Sequence, residues 1–354
     1  MNTSDFAGSA ILVVGGAGFV GGALVRRLLK LNPRRLVIVD NLLSADLSNV
    51  PEHRTVELVV ASITDDAVLA ALPDQLDFVF HLACYHGNQS SIHDPLADHL
   101  NNTLTTLKLL ERLKGLTTLK KIVYSAAGCA VAAKTFEDPT ATDEDAPVSL
   151  FHDTPYSISK LIGEMYGNFY FTRYGLPFVK ARFQNVYGPG EILGAGRWRG
   201  TPHTVWRNVT PAFVWKALQH EALPVENGGV ATRDFIFVED IVDGLLACAY
   251  QGRPGEVYNL ASGVETSILG LASLVNELTD NPTPVALVPA REWDHSGRRF
   301  GSTKKAREEL DFVATTPLRE GLKSTIAWTR ANLATIRRCM LQHADFMPGM
   351  RLGG

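Results

Sequence analysis

Five short hydrophobic segments recur through the first half of the chain, and each is continuous rather than alternating. They are AILVVGG (10–16), RLVIVD (35–40), TVELVVAS (55–62), DFVFHLA (77–83) and KIVYSA (121–126). Their Val, Ile and Phe content without polar alternation is typical of strands in a parallel sheet that is covered on both faces. The pattern therefore predicts five buried parallel strands.

Helical patterns separate these segments. GGALVRRLLKL (21–31) and PLADHLNNTLTTLKLLERLKG (95–115) each follow a predicted strand. A strand–helix rhythm of this kind predicts an α/β fold with a Rossmann-type doubly wound parallel sheet.

The pattern changes after residue 155. A long amphipathic helix is predicted to end at Gly175, and LPFVKARFQNVYG (176–188) reads as a sixth strand. The second half is richer in loops. We therefore expect one domain over 1–187, a smaller C-terminal α/β domain over 188–345 with partly interleaved elements, and a flexible tail over 346–354.

Composition narrows the class of protein. Hydrophobic residues make up 45% and charged residues 20% of the 354 positions, and the net charge is −3. Neither nucleic acid nor a membrane surface is an expected partner. The four cysteines stand far apart, which predicts neither a disulfide framework nor a metal site. We see no signal peptide, and a cytoplasmic protein is the simplest expectation.

A glycine-rich turn follows the first predicted strand. In VVGGAGFVGG (13–22), Gly15, Gly18 and Gly21 allow a tight turn and bring a pyrophosphate close to amides at a helix N-terminus. Asp40 closes the second strand 19 residues after Gly21, where a carboxylate accepts both ribose hydroxyls of NAD and repels the 2′-phosphate of NADP. The alternatives are a turn that only packs helix on strand and an Asp that caps the next turn.

PYSISK (155–160) carries the second candidate chemistry. Tyr156 and Lys160 are four residues apart on one helix face. An ammonium near a phenol lowers the phenol pKa and makes the tyrosine a usable general base. The alternative is an ordinary surface pair.

Several motifs in a fixed order resemble the extended short-chain dehydrogenase/reductases of the nucleotide-sugar epimerase and dehydratase family. They are VVGGAGFVGG, VDNL (39–42), FHLAC (80–84), NNTLTTLKLL (101–110), TPYSISKLIGE (154–164), ARFQNVYGPG (181–190), TRDFIFVEDIVDGL (232–245) and VYNLASG (257–263). The resemblance spans roughly residues 10–330.

The resemblance implies that the domain over 1–187 binds NAD and that the domain over 188–345 binds the nucleotide sugar. It also implies a set of site residues. Contacts to NAD are expected from Gly15, Gly18, Phe19, Val20, Asp40, Asn41, Ser62, Ile63, Leu82, Ala83, Cys84 and Asn102, together with the catalytic pair Tyr156 and Lys160. The family often has Asp where Ser62 stands. A nucleotide-diphosphate sugar is expected to contact Asn185, Arg233 and Arg299. Arginine suits the diphosphate because its donors fork toward two oxygens.

The fifth strand departs from the family. Relatives carry a Ser or Thr that bonds the reacting sugar hydroxyl, and this position falls on Ala127. Ser125 lies two residues earlier on the same strand face and replaces that hydroxyl only if the register shifts. Cys129 falls where 4,6-dehydratases carry a glutamate base and where GDP-mannose 3,5-epimerases carry an acid/base cysteine. It is either a small lining residue or a proton donor or acceptor.

Two further residues are candidates for substrate binding. His86 follows the fourth strand and is either a second acid/base group or a hydrogen-bonded structural histidine. Arg199 lies in the basic stretch GAGRWRGT (194–201), where the 3,5-epimerases have a catalytic lysine. Because arginine is a poor base, we expect it to bind a carboxylate or phosphate.

Together these features predict an NAD-dependent nucleotide-sugar epimerase that works through a transient 4-keto sugar, in bacterial surface-polysaccharide precursor synthesis. A 4,6-dehydratase, a uronic-acid decarboxylase and a non-catalytic NAD-binding sensor are the alternatives. Gly128 and Cys129 replace the Asp-Glu pair of dehydratases, which favours epimerisation. A homodimer through the helices at 95–115 and 155–173 is expected by analogy.

Overall fold

The computed structural model describes residues 6–132, 135–292, 294 and 297–350. Its strands are β1 (Ala10–Val14), β2 (Arg35–Asp40), β3 (Val56–Val60), β4 (Phe78–His81), β5 (Lys121–Ala127), β6 (Phe178–Phe183), β7 (Asn185–Tyr187), β8 (Pro224–Glu226), β9 (Thr232–Phe237), β10 (Val257–Leu260), β11 (Glu265–Ser267) and β12 (Ala286–Val288). Its helices are α1 (Phe19–Leu29), α2 (Asp66–Ala71), α3 (Asn88–His93), α4 (Pro95–Asp98), α5 (Leu104–Leu113), α6 (Pro155–Tyr174), α7 (Val209–Leu218), α8 (Val238–Tyr250), α9 (Ile268–Thr279), α10 (Lys304–Leu310), α11 (Leu318–Ala331) and α12 (Leu333–Leu341).

Seven parallel strands form the central sheet in the order β10-β6-β5-β4-β1-β2-β3. β1 pairs with both β2 and β4, so the chain reverses its direction of travel across the sheet at this strand. Ligands of such sheets bind outside the carboxyl ends of the strands beside the reversal point. The predicted Rossmann-type sheet is confirmed, and its topology places a site above β1 and β4.

The structure corrects two of the predicted strands. Segment 176–188 is not one strand, since it breaks at Gln184 into β6 of the central sheet and β7, which pairs with β9 in a second sheet. Segment 55–62 was expected to be buried, but β3 forms the sheet edge and is only partly covered. Both differences come from pairing partners that are distant in sequence.

Helix α6 was predicted with its correct limits. The Thr154 hydroxyl accepts a hydrogen bond from the Ser157 amide at 3.3 Å, and the helix ends at Gly175 in the left-handed conformation. Arg182 of β6 donates two hydrogen bonds of 2.8 Å to Glu164 in a buried ion pair. These contacts fix α6 against the sheet, and with it Tyr156 and Lys160.

The predicted helix at 95–115 is interrupted. A π-helical segment, His99–Thr103, separates α4 from α5. Such a segment shifts the side chains that follow it and is frequent at functional sites. Asn101 thereby faces the cavity described below, while Asn102 is buried.

Smaller sheets and the C-terminal helices complete the fold. β11, β9 and β7 form one sheet, and β12 pairs with β8. Within the predicted tail, the Phe346 ring stacks on Trp198 at 4.9 Å and Met350 is buried, whereas residues 351–354 lie outside the described chain. None of the helices in the described ranges combines the length and apolar character needed to cross a lipid bilayer.

Candidate active site

The glycine-rich turn between β1 and α1 packs so closely on neighbouring backbone that side chains would not fit at Gly15 or Gly21. Gly15 has φ +87°, and a Cβ there would lie 2.5 Å from the Ala83 amide nitrogen. At Gly21 a Cβ would lie 2.1 Å from the Gly15 carbonyl oxygen. Gly18 begins α1 without a side chain above the first turn, so the amides of that turn face the cavity. This geometry suits the pyrophosphate of a dinucleotide.

Asp40 both caps a turn and lines the cavity, so the two alternatives coexist. Its carboxylate accepts hydrogen bonds from the amides of Ala17 at 3.0 Å and Leu42 at 2.8 Å. Burial raises the Asp40 pKa, and these hydrogen bonds act against that effect. Asn41 lies beside it, with its amide nitrogen 3.3 Å from the Asn101 oxygen.

Most residues expected to contact NAD line one cavity. They are Gly15, Gly18, Phe19, Val20, Asp40, Asn41, Ser62, Ile63, Leu82, Ala83, Cys84, Tyr156 and Lys160. The glycine cradle and the acidic residue at the end of β2 fit NAD at this edge of the sheet.

Asn102 departs from that set, because among the described residues it does not line the cavity. Asn102 is buried, and both the nitrogen and the oxygen of its side-chain amide form hydrogen bonds. Its amide nitrogen donates to Asp98 at 2.7 Å, and its oxygen accepts from the Tyr85 amide at 2.7 Å. Asn102 therefore positions the backbone after β4 instead of contacting the cofactor directly.

Tyr156 and Lys160 share one buried face of α6, as predicted. The Lys160 ammonium donates to the Ser125 carbonyl at 2.8 Å and lies 6.0 Å from the centre of the Tyr156 ring. Burial raises the Tyr156 pKa, and the nearby Cys84 and Cys129 sulfurs add to that rise. In the protein alone, burial therefore acts against the lowering of the Tyr156 pKa that Lys160 is expected to produce.

The small residues at the end of β5 open the cavity beside this pair. Ala126, Ala127 and Cys129 line it, and Cys129 is close enough to Tyr156 and Arg233 for their charges to interact. Ser125 also lines the cavity, but its hydroxyl donates to the His81 carbonyl at 3.1 Å. That hydroxyl is already engaged, so Ser125 is poorly placed to replace the one missing at Ala127.

Two arginines lie at the other end of the cavity with Asn185. Arg233 donates to the carbonyls of Thr232 at 2.7 Å and Gly297 at 2.8 Å. Burial, together with the neighbouring charge of Arg299, lowers the Arg233 pKa to about 9. Arg233 also forms an ion pair with Asp294 at 3.8 Å. The forked donors of an arginine suit the phosphate oxygens of the predicted diphosphate.

Arg199 does not line the cavity in the described chain, contrary to expectation. Its Nη1 donates to the His86 carbonyl at 2.9 Å, and its guanidinium lies 4.8 Å from the centre of the Tyr85 ring. Nε and Nη2 make no hydrogen bond to described residues, and burial lowers the Arg199 pKa to about 9. Arg199 is thus a positioning residue for the segment that carries His86.

Sequence reasoning missed a connected set around His86. The His86 Nε2 is 2.9 Å from the Asn208 Oδ1, and the Asn208 amide donates to Glu191. Burial raises the Glu191 pKa to about 7. Glu191 and Asn208 flank the basic stretch (194–201) in sequence, and both line the cavity. GPGE was visible in the sequence, but nothing local linked Glu191 to His86.

The cavity that joins these groups has a volume of about 740 Å³. The glycine turn, Tyr156, Arg233 and Arg299 all line it. No cluster of three or more His, Cys, Asp or Glu side chains suited to a metal ion occurs in the described ranges. Fold and site together define a dinucleotide-dependent enzyme, with Tyr156 and Lys160 side by side in its cavity.

Comparison with known proteins identifies the family. The model of the NAD dependent epimerase/dehydratase family matches residues 11–261. UDP-glucose 4-epimerase of Mycolicibacterium smegmatis is 31% identical over 323 residues, which cover 90% of this chain and 98% of the relative. UDP-N-acetyl-alpha-D-glucosaminuronate decarboxylase of Bacillus cytotoxicus is 30% identical, with 90% and 97% covered.

Solved structures agree with this assignment. The Bordetella bronchiseptica enzyme WbmF, in complex with NAD+ and UDP, is 59% identical with a TM-score of 0.88, covering 98% of this chain and 99% of that one. Epimerase Mth375 of Methanothermobacter thermautotrophicus is 39% identical with a TM-score of 0.87, covering 95% and 96%. The chain belongs to the NAD dependent epimerase/dehydratase family, and NAD is its cofactor.

Proposed function

We propose that this protein is a nucleotide-sugar epimerase that acts on a UDP-sugar through a transient 4-keto intermediate. One observation carries the proposal: Tyr156 lines the same cavity as the glycine turn that suits NAD and the arginine pair that suits a diphosphate. The choice of UDP rests on the relatives, which include a UDP-glucose 4-epimerase and a UDP complex of WbmF.

The position of each residue in the cavity indicates its role in the proposed reaction. The arginines Arg233 and Arg299 hold the diphosphate, and Asn185 lies beside the sugar. Tyr156 takes the proton from the C4 hydroxyl, and Lys160 supplies positive charge that favours the phenolate. Bound NAD would supply the hydride acceptor for C4 and the hydride for the return step. Because burial raises the Tyr156 pKa, the phenolate depends on positive charge gathered around it in the complex.

Cys129 could act as an acid or base on a carbon next to the transient ketone. A carbonyl at C4 acidifies the protons on C3 and C5, and a group that exchanges one of them inverts that carbon. Cys129 lines the cavity near Tyr156 and is the described group at the end of β5 that can carry a proton. We therefore keep it as a catalytic residue of the proposal, subject to the test below.

The dehydratase and decarboxylase alternatives have weaker support. Gly128 and Cys129 stand where a dehydratase has its Asp-Glu pair. The basic stretch favoured a uronic acid because Arg199 was expected to bind a carboxylate, yet Arg199 lies outside the cavity lining. The decarboxylase relative keeps that reaction open to test. Intact Tyr156 and Lys160 argue against a non-catalytic sensor.

A panel of UDP-, dTDP-, GDP- and CDP-sugars in D₂O, followed by mass spectrometry, tests the proposal. We expect a UDP-sugar isomer, with solvent deuterium on one ring carbon when Cys129 takes part. An isomer without deuterium would leave a 4-epimerase and make Cys129 a bystander. A product that has lost water or CO₂ would refute epimerisation, and no turnover of any sugar would favour the sensor.

We also propose a homodimer formed through α6 and its neighbours. Met165 and Phe169 lie one turn apart on α6 and are 58% and 52% exposed. Leu96 and Leu100, from the adjoining helical segments, are 75% and 50% exposed. Such a contiguous apolar surface is typical of a protein interface.

Phe169→Glu is expected to convert the dimer to a monomer, because it buries a charge in that interface. Light scattering during size-exclusion chromatography measures the change. Leu287→Glu, at a 67% exposed position on β12, is the matched control and should leave the mass unchanged. A wild-type monomer, or a Phe169→Glu dimer, would contradict this interface.

Three further expectations from the sequence remain proposals. The division into domains at residues 187 and 188 is one of them. A cytoplasmic location is another, and four free thiols favour such a reducing compartment. A role in surface-polysaccharide precursor synthesis is the third, and it follows only from the proposed substrate class.

A further inference from the structure

Arg199 of the basic stretch and two residues that flank the stretch hold His86 from two sides. Arg199 donates to its backbone carbonyl at 2.9 Å. Asn208 contacts its ring at 2.9 Å, and Glu191 fixes the Asn208 amide. These three residues therefore set the position and orientation of one imidazole.

The same contacts define the tautomer. The Asn208 amide nitrogen donates to Glu191, so its Oδ1 faces His86 and accepts a hydrogen bond from Nε2–H. The lone pair of the neutral ring is then on Nδ1. His86 lines the cavity, and within the described chain no hydrogen bond reaches Nδ1. The ring also meets the Tyr156 ring edge to face, with 5.7 Å between centres.

The surroundings keep this imidazole neutral. Burial, with the positive charges of Arg207, Arg199 and Lys160, lowers the His86 pKa to about 4, while the hydrogen bond to Asn208 acts in the opposite direction. Glu191 reaches it only through Asn208. At neutral pH the resting ring is therefore ready to accept a proton.

Cys129 is the second group near Tyr156 that can carry a proton. It lies at the end of β5, and it packs against the buried cluster that contains Tyr156 and Ala127. The imidazole and the thiol thus approach the Tyr156 end of the cavity from the ends of two neighbouring strands.

We propose that His86 and Cys129 are the acceptor and donor of a two-base inversion at the sugar carbon next to the transient ketone. The inference rests on the proposed function. His86 Nδ1 takes the proton from carbon, and the C–H electron pair moves into an enolate with the C4 carbonyl. The Cys129 S–H then donates its proton to the other face of that carbon. The reverse reaction exchanges the two roles, and solvent resets the imidazolium and thiolate.

The pattern of solvent exchange tests the pair. The substrate and product isomers identified in the panel are each incubated in D₂O with wild type, His86→Gln and Cys129→Ala. We expect both variants to lose inversion by about a hundredfold or more. Each should still exchange deuterium into one isomer without converting it. Cys129→Ala should label the isomer that faces His86, and His86→Gln the other isomer.

Controls separate this result from loss of structure. Both variants should bind UDP and retain NAD as wild type does, and His220→Asn, an exposed left-handed position that Asn tolerates, should invert normally. ¹⁵N NMR of the histidine rings gives an independent readout. The resonances lost in His86→Gln should belong to a neutral Nε2–H ring near pH 6.

Other outcomes would overturn the pair. His86→Gln with wild-type inversion, or a His86 ring protonated at pH 6, would do so. Isomers formed without carbon-bound deuterium would also refute the pair while leaving 4-epimerisation intact. Absence of any isomer with wild type would instead be a failure of the proposed function.

Discussion

Tyr156→Phe is expected to lower nucleotide-sugar turnover by about a hundredfold to ten-thousandfold, the usual contribution of a positioned general acid or base. The phenyl ring keeps its packing in the buried cluster and its contact with His86, so the fold should not change. NAD content and UDP affinity should therefore match wild type. Steady-state turnover of the best UDP-sugar, with UDP calorimetry alongside, measures both effects.

Tyr124→Phe is the matched control for this variant. Tyr124 is also buried and also lies near Lys160, whose nitrogen is 5.2 Å from its ring centre. It does not line the cavity in the described chain. Its variant should keep most of the activity. Full turnover by Tyr156→Phe would contradict the assigned role of this hydroxyl.

Gly15→Ala is expected to abolish NAD retention. The added Cβ would lie 2.5 Å from the Ala83 amide nitrogen and 2.7 Å from the Ala83 Cα, and backbone atoms cannot yield as a flexible side chain can. The left-handed conformation adds a penalty of about 1–2 kcal/mol. We expect NAD affinity to fall by about a hundredfold or more, since each tenfold step needs only about 1.4 kcal/mol.

Gly8→Ala is the matched control, because it tests backbone strain in the left-handed conformation without a steric clash. Gly8 has φ +70°, but a Cβ there would meet no atom within 4 Å. This variant should lose a little thermal stability and keep its NAD. Absorbance of the cofactor in purified protein and thermal melts measure the two effects. Equal NAD content in the Gly15 and Gly8 variants would show that the close approach at Gly15 is unimportant.

The sequence predicted those parts of the fold that depend on local pattern. The central strands follow from continuous apolar segments, and the limits of α6 follow from Thr154, Pro155 and Gly175. The break at Gln184 could not be predicted in this way, because it depends on β9, about fifty residues further along. The partial exposure of β3 likewise depends on its place at the edge of the sheet.

The candidate site divides in a similar way. The motifs and their spacing predicted that Gly15, Asp40 and Tyr156 belong to one site, and all three line one cavity. Spacing did not reveal that Asn102 and Arg199 act on backbone groups, because hydrogen-bond partners across the fold decide that. The contact between His86 and Asn208 spans 122 positions, and no local pattern encodes it. Burial, which raises the Tyr156 pKa against the effect of Lys160, is equally invisible in a motif.

The transient 4-keto sugar is the central claim, and a UDP-sugar deuterated at C4 tests it most directly. The substrate used is the one that the panel identifies. We expect a primary isotope effect on a single turnover, and we expect the product isomer to retain the deuterium at C4 in ordinary water. Retention with an isotope effect means that the C4–H bond breaks and re-forms within the closed site. Loss of the deuterium to solvent, or turnover without any isotope effect, would contradict the account.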